Sequence, residues 1–298
     1  MNCSVCNATA IINSADAFCK EHFFEYFENT VKDTIDDFSL ISKDDKIAVA
    51  CSGGKDSTIL LHLLKKWGYN IEALAIDEGI ARYRDAALED LKTICKTEGV
   101  LLRIVSYQEN FGTTLDSYLK NNRGARACTV CGVWRRHLLN RESKNYDAIA
   151  TGHNLDDEAQ SILMNLIKSN IQVLARLGPK TEVVSSPGFT PRVKPLYFVT
   201  EKETSAYALL KGFSIKFAEC PNAFDSFRAE VRDILNEFEA ENKGSKRKLM
   251  QWFIEVIPKL KAYYSNEQIG VCARCGEPSR RNPCISCGLT SRVVVKVN

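Results

Sequence analysis

The sequence predicts an α/β fold, a Rossmann-like parallel sheet flanked by helices, with a small metal-binding module at each end. Two observations support this prediction. From residue 46 onward, short apolar runs alternate with amphipathic stretches, as in successive βαβ units. Most of the 12 cysteines occur in closely spaced pairs, which indicates metal ligands rather than disulfides. We therefore expect a zinc-binding module with a helix over 1–42, an α/β domain over 43–241, and a basic helix with a zinc ribbon over 242–298.

Hydrophobic periodicity defines the elements of the α/β domain. The first predicted strand runs from Ile47 to Cys51, and apolar residues recur at helical spacing from Ser57 onward. The later predicted strands are 71–77, 101–106 and 146–152, and the helices between them are 83–97, 113–121 and 130–142. In such a sheet, functional side chains collect beyond the carboxyl ends of the strands.

The first strand-to-helix junction has the composition of a phosphate-binding turn. Its six residues are Ser52, Gly53, Gly54, Lys55, Asp56 and Ser57. The glycines allow the backbone to approach an anion closely, and the unpaired N–H groups at a helix start favour negative charge. The spacing differs from the G-x-x-x-x-G-K-[ST] loop of kinases and GTPases. A plain glycine turn with a capping serine would explain fewer of these residues, so phosphate binding is favoured.

A second polar stretch, TGHNLDDEAQ, follows the last predicted strand. It places Asp156, Asp157 and Glu158 at a helix start. Carboxylates there can simply cap the helix and complement its dipole. Adjacent carboxylates at the strand ends, facing a phosphate site, can also hold Mg²⁺ or orient a nucleophile.

Two cysteine groups have the spacing of structural zinc sites. The N-terminal group reads C-x2-C-x12-C-x2-H and the C-terminal group reads C-x2-C-x8-C-x2-C. Each supplies four thiolate or imidazole ligands in two close pairs, as tetrahedral Zn²⁺ requires. The ligands are Cys3, Cys6, Cys19 and His22 in the first group, and Cys272, Cys275, Cys284 and Cys287 in the second.

A third group has one ligand fewer. Cys128 and Cys131 form a C-x2-C pair at the start of a helical stretch, and Cys220 is the remaining candidate partner. Three thiolates with an open position suit an iron–sulfur cluster, or a redox or persulfide pair. Buried structural cysteines are the alternative reading. Cys51 and Cys95 are expected to pack in the core.

Charge is distributed unevenly along the chain. The net charge is +3, but residues 1–45 carry −6 and residues 242–298 carry +8. A basic segment is expected where a polyanion binds, although a solvated lysine-rich surface has the same composition. No apolar run approaches the roughly 20 residues that span a membrane. The N-terminus has no signal pattern, so a cytoplasmic enzyme is expected.

The motifs in this order resemble a known family. SGGKDS after a strand with a later TGHNLDDEAQ resembles the PP-loop ATPases, which cleave ATP between the α and β phosphates. With the three cysteine groups, the chain resembles the TtuA/NcsA-type tRNA 2-thiouridine synthetases over nearly its whole length. The resemblance implies that ATP adenylylates the C2 oxygen of a tRNA uridine and that sulfur then replaces it. It implies a dimer whose zinc ribbons contact tRNA.

The resemblance also assigns roles to residues. A [4Fe–4S] cluster would be held by Cys128, Cys131 and Cys220, with a free iron that carries hydrosulfide from a ubiquitin-like sulfur carrier or from inorganic sulfide. Asp56 would be catalytic or bind Mg²⁺, and Asp156 or Asp157 would be the second acid. The implied nucleotide contacts are Ala50, Ile76, Gly152 and the turn Ser52 to Ser57, with Arg135 near the phosphates.

Two features disagree about which uridine is modified. Members that modify the T-loop, at position 54, commonly have Lys where this chain has Arg135, whereas CGVWRR resembles members that modify wobble position 34. In contrast, HNLDDEAQ resembles the T-loop group. Three other hypotheses remain: a persulfide or disulfide mechanism without a cluster, a non-catalytic zinc-ribbon tRNA scaffold, and a small-molecule amidotransferase with the same ATPase fold.

Overall fold

The computed structural model describes residues 1–14, 16–181, 188–213, 220–222, 227–264 and 269–293, which form ten strands and twelve helices. The strands are β1 (Ile12–Asn13), β2 (Ala17–Phe18), β3 (Lys46–Ala50), β4 (Asn70–Asp77), β5 (Leu102–Ser106), β6 (Ala148–Thr151), β7 (Lys180–Thr181), β8 (Arg192–Val193), β9 (Gly270–Val271) and β10 (Pro278–Ser279). The helices are α1 (Lys20–Asp37), α2 (Lys55–Lys66), α3 (Tyr83–Glu98), α4 (Tyr107–Phe111), α5 (Leu115–Asn121), α6 (Ala127–Glu142), α7 (Leu155–Ile167), α8 (Ile171–Leu174), α9 (Glu201–Lys211), α10 (Phe227–Glu241), α11 (Ser245–Tyr264) and α12 (Ile285–Thr290).

A six-stranded sheet forms the centre of the fold, in the order β5-β4-β3-β6-β8-β7. Neighbouring strands are parallel except β7, which pairs antiparallel with β8 at the edge. The predicted parallel α/β sheet is therefore confirmed. In β3, Ile47, Ala48 and Val49 are all fully buried, because helices cover both faces of a parallel sheet.

The two faces of the sheet carry separate apolar cores. Helices α1, α2, α3 and α9 contribute to one core, in which Cys51 and Cys95 are buried as expected. Helices α4, α5 and α6 contribute to the other core, where Trp134 stacks edge-to-face on Tyr107 and Tyr118. Helices α7, α8 and α11 share a third core, so the basic C-terminal helix is packed against the α/β unit.

Several boundaries differ from the predictions. Helix α2 begins at Lys55 rather than Ser57, because Gly54 is already the N-cap. Helices α4 and α8 are too short to give a helical periodicity and were not predicted. The strand expected before Cys220 lies outside the described residues. No helix in the described ranges is both long and apolar enough to cross a membrane.

Glu203 joins the two ends of the chain to the central unit. Its side chain is fully buried, and Oε1 accepts hydrogen bonds from Ser14, Tyr26 and Arg247 at 2.6 to 3.1 Å. Its Oε2 accepts from the backbone N–H of Thr200, the N-cap of α9, at 2.7 Å. One carboxylate therefore holds the N-terminal module, α9 and α11 together.

Glu203→Gln is expected to lower the free energy of unfolding by about 2 kcal/mol, because Arg247 loses its carboxylate while remaining largely covered. The urea midpoint measures this change. Glu237→Gln, an exposed substitution on the neighbouring helix α10, is the control and should leave the midpoint unchanged. Equal midpoints for the two variants would contradict the joining role of Glu203.

Candidate active site and metal centres

The turn between β3 and α2 is shaped to receive an anion. Gly54, the N-cap of α2, has no side-chain cap, so the first N–H groups of the helix stay available. The Ser57 hydroxyl donates to the carbonyl of Gly54 at 3.0 Å and accepts from the N–H of Ser52 at 3.2 Å. Gly53 has φ +81°, and a Cβ there would lie 2.5 Å from the carbonyl oxygen of Ala87. Glycine is therefore required at this position.

The predicted nucleotide contacts meet at the carboxyl edge of the sheet. Ala50 ends β3 and is paired with Thr151 of β6, so Gly152 follows beside it. A Cβ on Gly152 would lie 2.8 Å from the backbone of Asp56, which shows how tightly the turn packs on β6. Ile76 lies near the end of the adjacent strand β4. The fold thus brings these three backbone positions to one edge.

Asp56 and Asp157 both contact Asn154 at the start of α7. Asn154 Nδ2 donates to Asp56 Oδ1 at 3.5 Å, and Asn154 also forms a capping box with Asp157. Burial by the surrounding residues desolvates the Asp157 carboxylate and raises its pKa to about 6. Arg228, 3.5 Å away, opposes this rise in pKa, and the charge of Asp56 adds to it. The Asp157 side chain is still 34% exposed, so it is open to a ligand.

Asp156 points the other way and is occupied by structural contacts. Its Oδ1 accepts from Lys246 Nζ of α11 at 2.5 Å, and its Oδ2 accepts from the backbone N–H of Glu201 at 2.7 Å. Both Asp156 and Lys246 are buried. Sequence reasoning did not distinguish Asp156 from Asp157, and the contacts of the two side chains now separate them.

Lys55 of the turn is also paired. Its Nζ lies 3.2 Å from Asp56 Oδ2 and 3.2 Å from Glu201 Oε1. This cation balances the charge of two carboxylates next to the phosphate turn.

The three remaining predicted ligands converge at the start of α6. Cys128 and Cys131 are three residues apart and share a face of the helix. Cys131 and Cys220 lie against the same apolar core, and burial raises the pKa of both thiols, with smaller contributions from Cys220 at Cys131 and from Cys128 at Cys220. Cys128 Sγ also lies 3.4 Å from the carbonyl oxygen of Asn222.

This donor set fits an iron–sulfur cluster better than structural zinc. Three thiols are one too few for a closed tetrahedral site. Cys128 is exposed, so an external ligand can approach. Unlike the ligands of the two four-ligand groups, these three sulfurs do not all lie within 4.8 Å of one another. The Tyr107 hydroxyl donates to the Cys131 carbonyl at 2.8 Å and lies 3.8 Å from its sulfur, which orients this ligand.

A chain of ion pairs, buried at Arg84 and Glu78 and half-exposed at Arg135, runs from the phosphate turn towards the cysteines. Glu78, directly after β4, pairs with Arg84 at 3.0 Å and with Arg135 at 3.8 Å. Arg84 Nη1 donates to the carbonyl of Ser52 at 2.5 Å. Burial raises the pKa of Cys131, and the positive charge of Arg135 opposes that rise. Arg135 is thus tied to the cysteine side of the site. Sequence reasoning missed Glu78 and Arg84. The adjacent acidic residues Asp77 and Glu78 at the end of β4 were the sequence signal that pointed to this position.

The two four-ligand groups are assembled as predicted. In each group, all four ligand atoms lie within 4.8 Å of one another. In the N-terminal group, His22 Nδ1 lies 3.5 Å from Cys3 Sγ and 3.3 Å from Cys19 Sγ. In the C-terminal group, the backbone N–H of Cys284 donates to Cys272 Sγ at 3.2 Å and helps lower the pKa of Cys272 to about 6. These donor sets fit structural zinc.

Comparison with known proteins places the chain among tRNA-modifying proteins. It is 38% identical to the tRNA-5-methyluridine(54) 2-sulfurtransferase of Pyrococcus horikoshii, over all of this chain and 97% of that protein. It is 37% identical to the cytoplasmic tRNA 2-thiolation protein 1 of Drosophila melanogaster, over 93% and 82% of the two chains. Among solved structures it matches the U34-tRNA thiolase NcsA of Methanococcus maripaludis, which was solved with its [4Fe–4S] cluster. The TM-score is 0.81 with 30% identity, over 98% and 96% of the chains.

The profile of the PP-loop domain family matches residues 22–237. This chain belongs to the PP-loop family, in its TtuA/NcsA-type branch. The turn from Ser52 to Ser57 is accordingly its PP-loop. The matched residues include the three-cysteine group but end before the C-terminal four-cysteine group. The four-cysteine group therefore lies outside the matched domain, although the alignment with the Pyrococcus protein covers the whole of this chain.

Proposed function

We propose that this PP-loop protein is an ATP-dependent tRNA 2-sulfurtransferase that converts a uridine to 2-thiouridine. One observation carries the proposal: the phosphate turn and the three-cysteine group lie on one edge of the sheet, connected by Glu78. The proposed ATP site and the proposed sulfur site are thereby joined by one network of ion pairs and hydrogen bonds. The proposal extends the activity in the names of its relatives to this chain.

The PP-loop residues suit activation of the uridine. The backbone N–H groups of the turn and Lys55 would bind the ATP phosphates, and the carboxylates of Asp56 and Asp157 are ligands that Mg²⁺ prefers. The uridine O2 attacks the α-phosphorus, the bond from this phosphorus to the bridging oxygen breaks, and pyrophosphate leaves. The adenylylated oxygen is then a good leaving group on C2.

The second step replaces this oxygen. A sulfur nucleophile forms a bond to C2, the C2–O2 bond breaks, and AMP leaves with the former O2 while the sulfur loses its proton. A [4Fe–4S] cluster held by Cys128, Cys131 and Cys220 supplies an iron atom with an open coordination position when bound. In this arrangement Tyr107 orients the ligand Cys131. The positive charge of Arg135 balances the negative charge of the Cys131 thiolate.

The proposal includes partners and the position of the uridine. Relatives act at different positions, 54 in the Pyrococcus enzyme and 34 in the Methanococcus enzyme, so either position is proposed for this chain. The sulfur source is a ubiquitin-like carrier with a thiocarboxylate terminus or inorganic sulfide. Two Zn²⁺ ions hold the terminal modules, and the active form is a homodimer.

Metal analysis and a thiolation assay on anaerobically purified protein test this function. We expect iron and acid-labile sulfide in near-equal amounts, zinc in addition, and 2-thiouridine formed in tRNA only when ATP is present. Mass spectrometry of nuclease fragments then locates the nucleoside at position 34 or 54. Thiolation by protein that holds zinc alone would instead support the persulfide mechanism. The absence of any 2-thiouridine from protein with a full cluster would overturn the proposal.

A further inference from the structure

A pocket of about 510 Å³ lies between the start of α6 and the zinc ribbon. One wall is the turn between α5 and α6, and the other is the end of α12. Its lining includes three apolar or aromatic residues and three arginines: Tyr118, Val130, Leu289, Arg123, Arg126 and Arg292. The pocket is therefore built jointly by the PP-loop domain and the C-terminal module.

The pocket carries uncompensated positive charge. Arg123, Arg126 and Arg292 line it, and its lining includes no Asp or Glu. All three arginines are exposed, and none forms an ion pair with any described residue. Guanidinium groups bind phosphate with two parallel N–H···O bonds, so three of them at one pocket fit an anion with several phosphate oxygens.

The floor of the pocket is rigid and apolar. Tyr118 and Val130 are almost completely buried, and Leu289 packs against the same core cluster as Trp134. Arg123 and Arg292 lie in the turns that border this apolar floor. Arg126 is the N-cap of α6, two residues before the exposed thiol of Cys128. The pocket therefore borders the first turn of the helix that carries Cys128 and Cys131.

Docking of the ribbon completes the pocket. Glu277 of the ribbon is buried and accepts from Asn140 Nδ2 at 2.9 Å and from Lys144 Nζ at 2.5 Å, both near the end of α6. This contact and the packing of α12 on α6 fix Arg292 relative to Arg126. The same helix thus carries two cysteine ligands at its start and holds the ribbon at its end.

We propose that this pocket binds the phosphodiester backbone of tRNA close to the uridine that is thiolated. The inference rests on the proposed function, and it adds the residues that would hold the RNA at the sulfur site. A polyanion fits better than a single carboxylate, because the pocket offers three arginines that have no ion pair among the described residues, and one of them, Arg292, belongs to a segment of net charge +8. The terminal carboxylate of a sulfur-carrier protein would neutralise only one of them.

The test measures the binding of an unmodified tRNA transcript to the full-length protein. Binding is monitored by fluorescence anisotropy at several salt concentrations. The variant is Arg123→Gln/Arg126→Gln/Arg292→Gln. We expect affinity to fall by at least about tenfold and the slope of log K against log salt to decrease by about 2 to 3, as for the loss of three phosphate contacts. The KM for tRNA in thiolation should rise by the same factor.

The matched control is Lys65→Gln/Lys92→Gln/Lys96→Gln, which removes the same charge from exposed residues of α2 and α3 on the opposite face of the sheet. It should change affinity by less than about threefold. Unchanged zinc content and melting temperature establish that both variants are folded.

Two outcomes would overturn the proposal. Either the arginine variant binds tRNA like the control variant, or it binds tRNA normally and loses only thiolation driven by a protein sulfur donor while inorganic sulfide still works. The second result would assign the pocket to the donor. Because binding is measured without catalysis, wild-type protein that binds tRNA through these arginines but never thiolates it would refute the proposed function alone.

Discussion

Cys220→Ser is expected to remove iron and acid-labile sulfide together with all detectable thiolation, while both zinc sites and the fold remain. A serine hydroxyl does not replace a soft thiolate at iron. Cys128 and Cys131 are supplied by one helix, so Cys220 is the ligand that closes the site from a different part of the chain. Two thiolates on one helix are too few to hold the cluster.

The effect of Cys220→Ser should be confined to the cluster site, because Cys220 is only partly buried and lies at the margin of its core cluster. Iron, sulfide and zinc are measured on wild-type and variant protein purified anaerobically side by side. Cys95→Ser serves as the control, since Cys95 is a buried core residue on the opposite face of the sheet. The Cys95→Ser variant should lose about 1 to 2 kcal/mol of its free energy of unfolding and should retain its iron. Full thiolation by Cys220→Ser would remove this cysteine from the mechanism.

Local sequence patterns predicted those structural features that depend only on residues close together in the chain. The phosphate turn and the two four-ligand groups are each short segments with a characteristic spacing, and the structure brings the four ligand atoms of each group within 4.8 Å of one another. Strands β3 to β6 were recognised because apolar runs of four to eight residues carry a clear signal. Strands β7 and β8 have two residues each, too few for any periodicity, so the antiparallel edge of the sheet was not foreseen.

The candidate active site depends on contacts between residues that are far apart in the chain, and no local sequence pattern reveals such contacts. Asp156 and Asp157 are adjacent on a helix, so their side chains point about 100° apart. Only the position of Lys246, 90 residues later in the chain, shows which of them is committed to structure. The ion pairs of Glu78 with Arg84 and Arg135 likewise depend on how β4, α3 and α6 meet in space.

Asp157→Asn is expected to slow tRNA-dependent pyrophosphate release by about 10² to 10³, with the fold preserved. The substitution removes a negative charge next to Asp56, and the loss of one electrostatic contact to a transferring group has effects of this size. Asparagine retains an oxygen that can accept the N–H of Asn154, so the capping box survives. Asp56→Asn should show a loss at least as large, because Asp56 is itself part of the PP-loop.

Asp156→Asn provides the decisive contrast, since it makes the same chemical change one residue earlier. It leaves Lys246 buried without its carboxylate, and we expect the free energy of unfolding to fall by about 3 kcal/mol. Because both oxygens of Asp156 already accept hydrogen bonds, from Lys246 and from the backbone N–H of Glu201, pyrophosphate release per folded molecule should stay within about threefold of the wild type. Urea unfolding and initial rates of pyrophosphate release separate the two effects. If Asp156→Asn instead lost catalysis at unchanged stability, the assignments of the two aspartates would have to be exchanged.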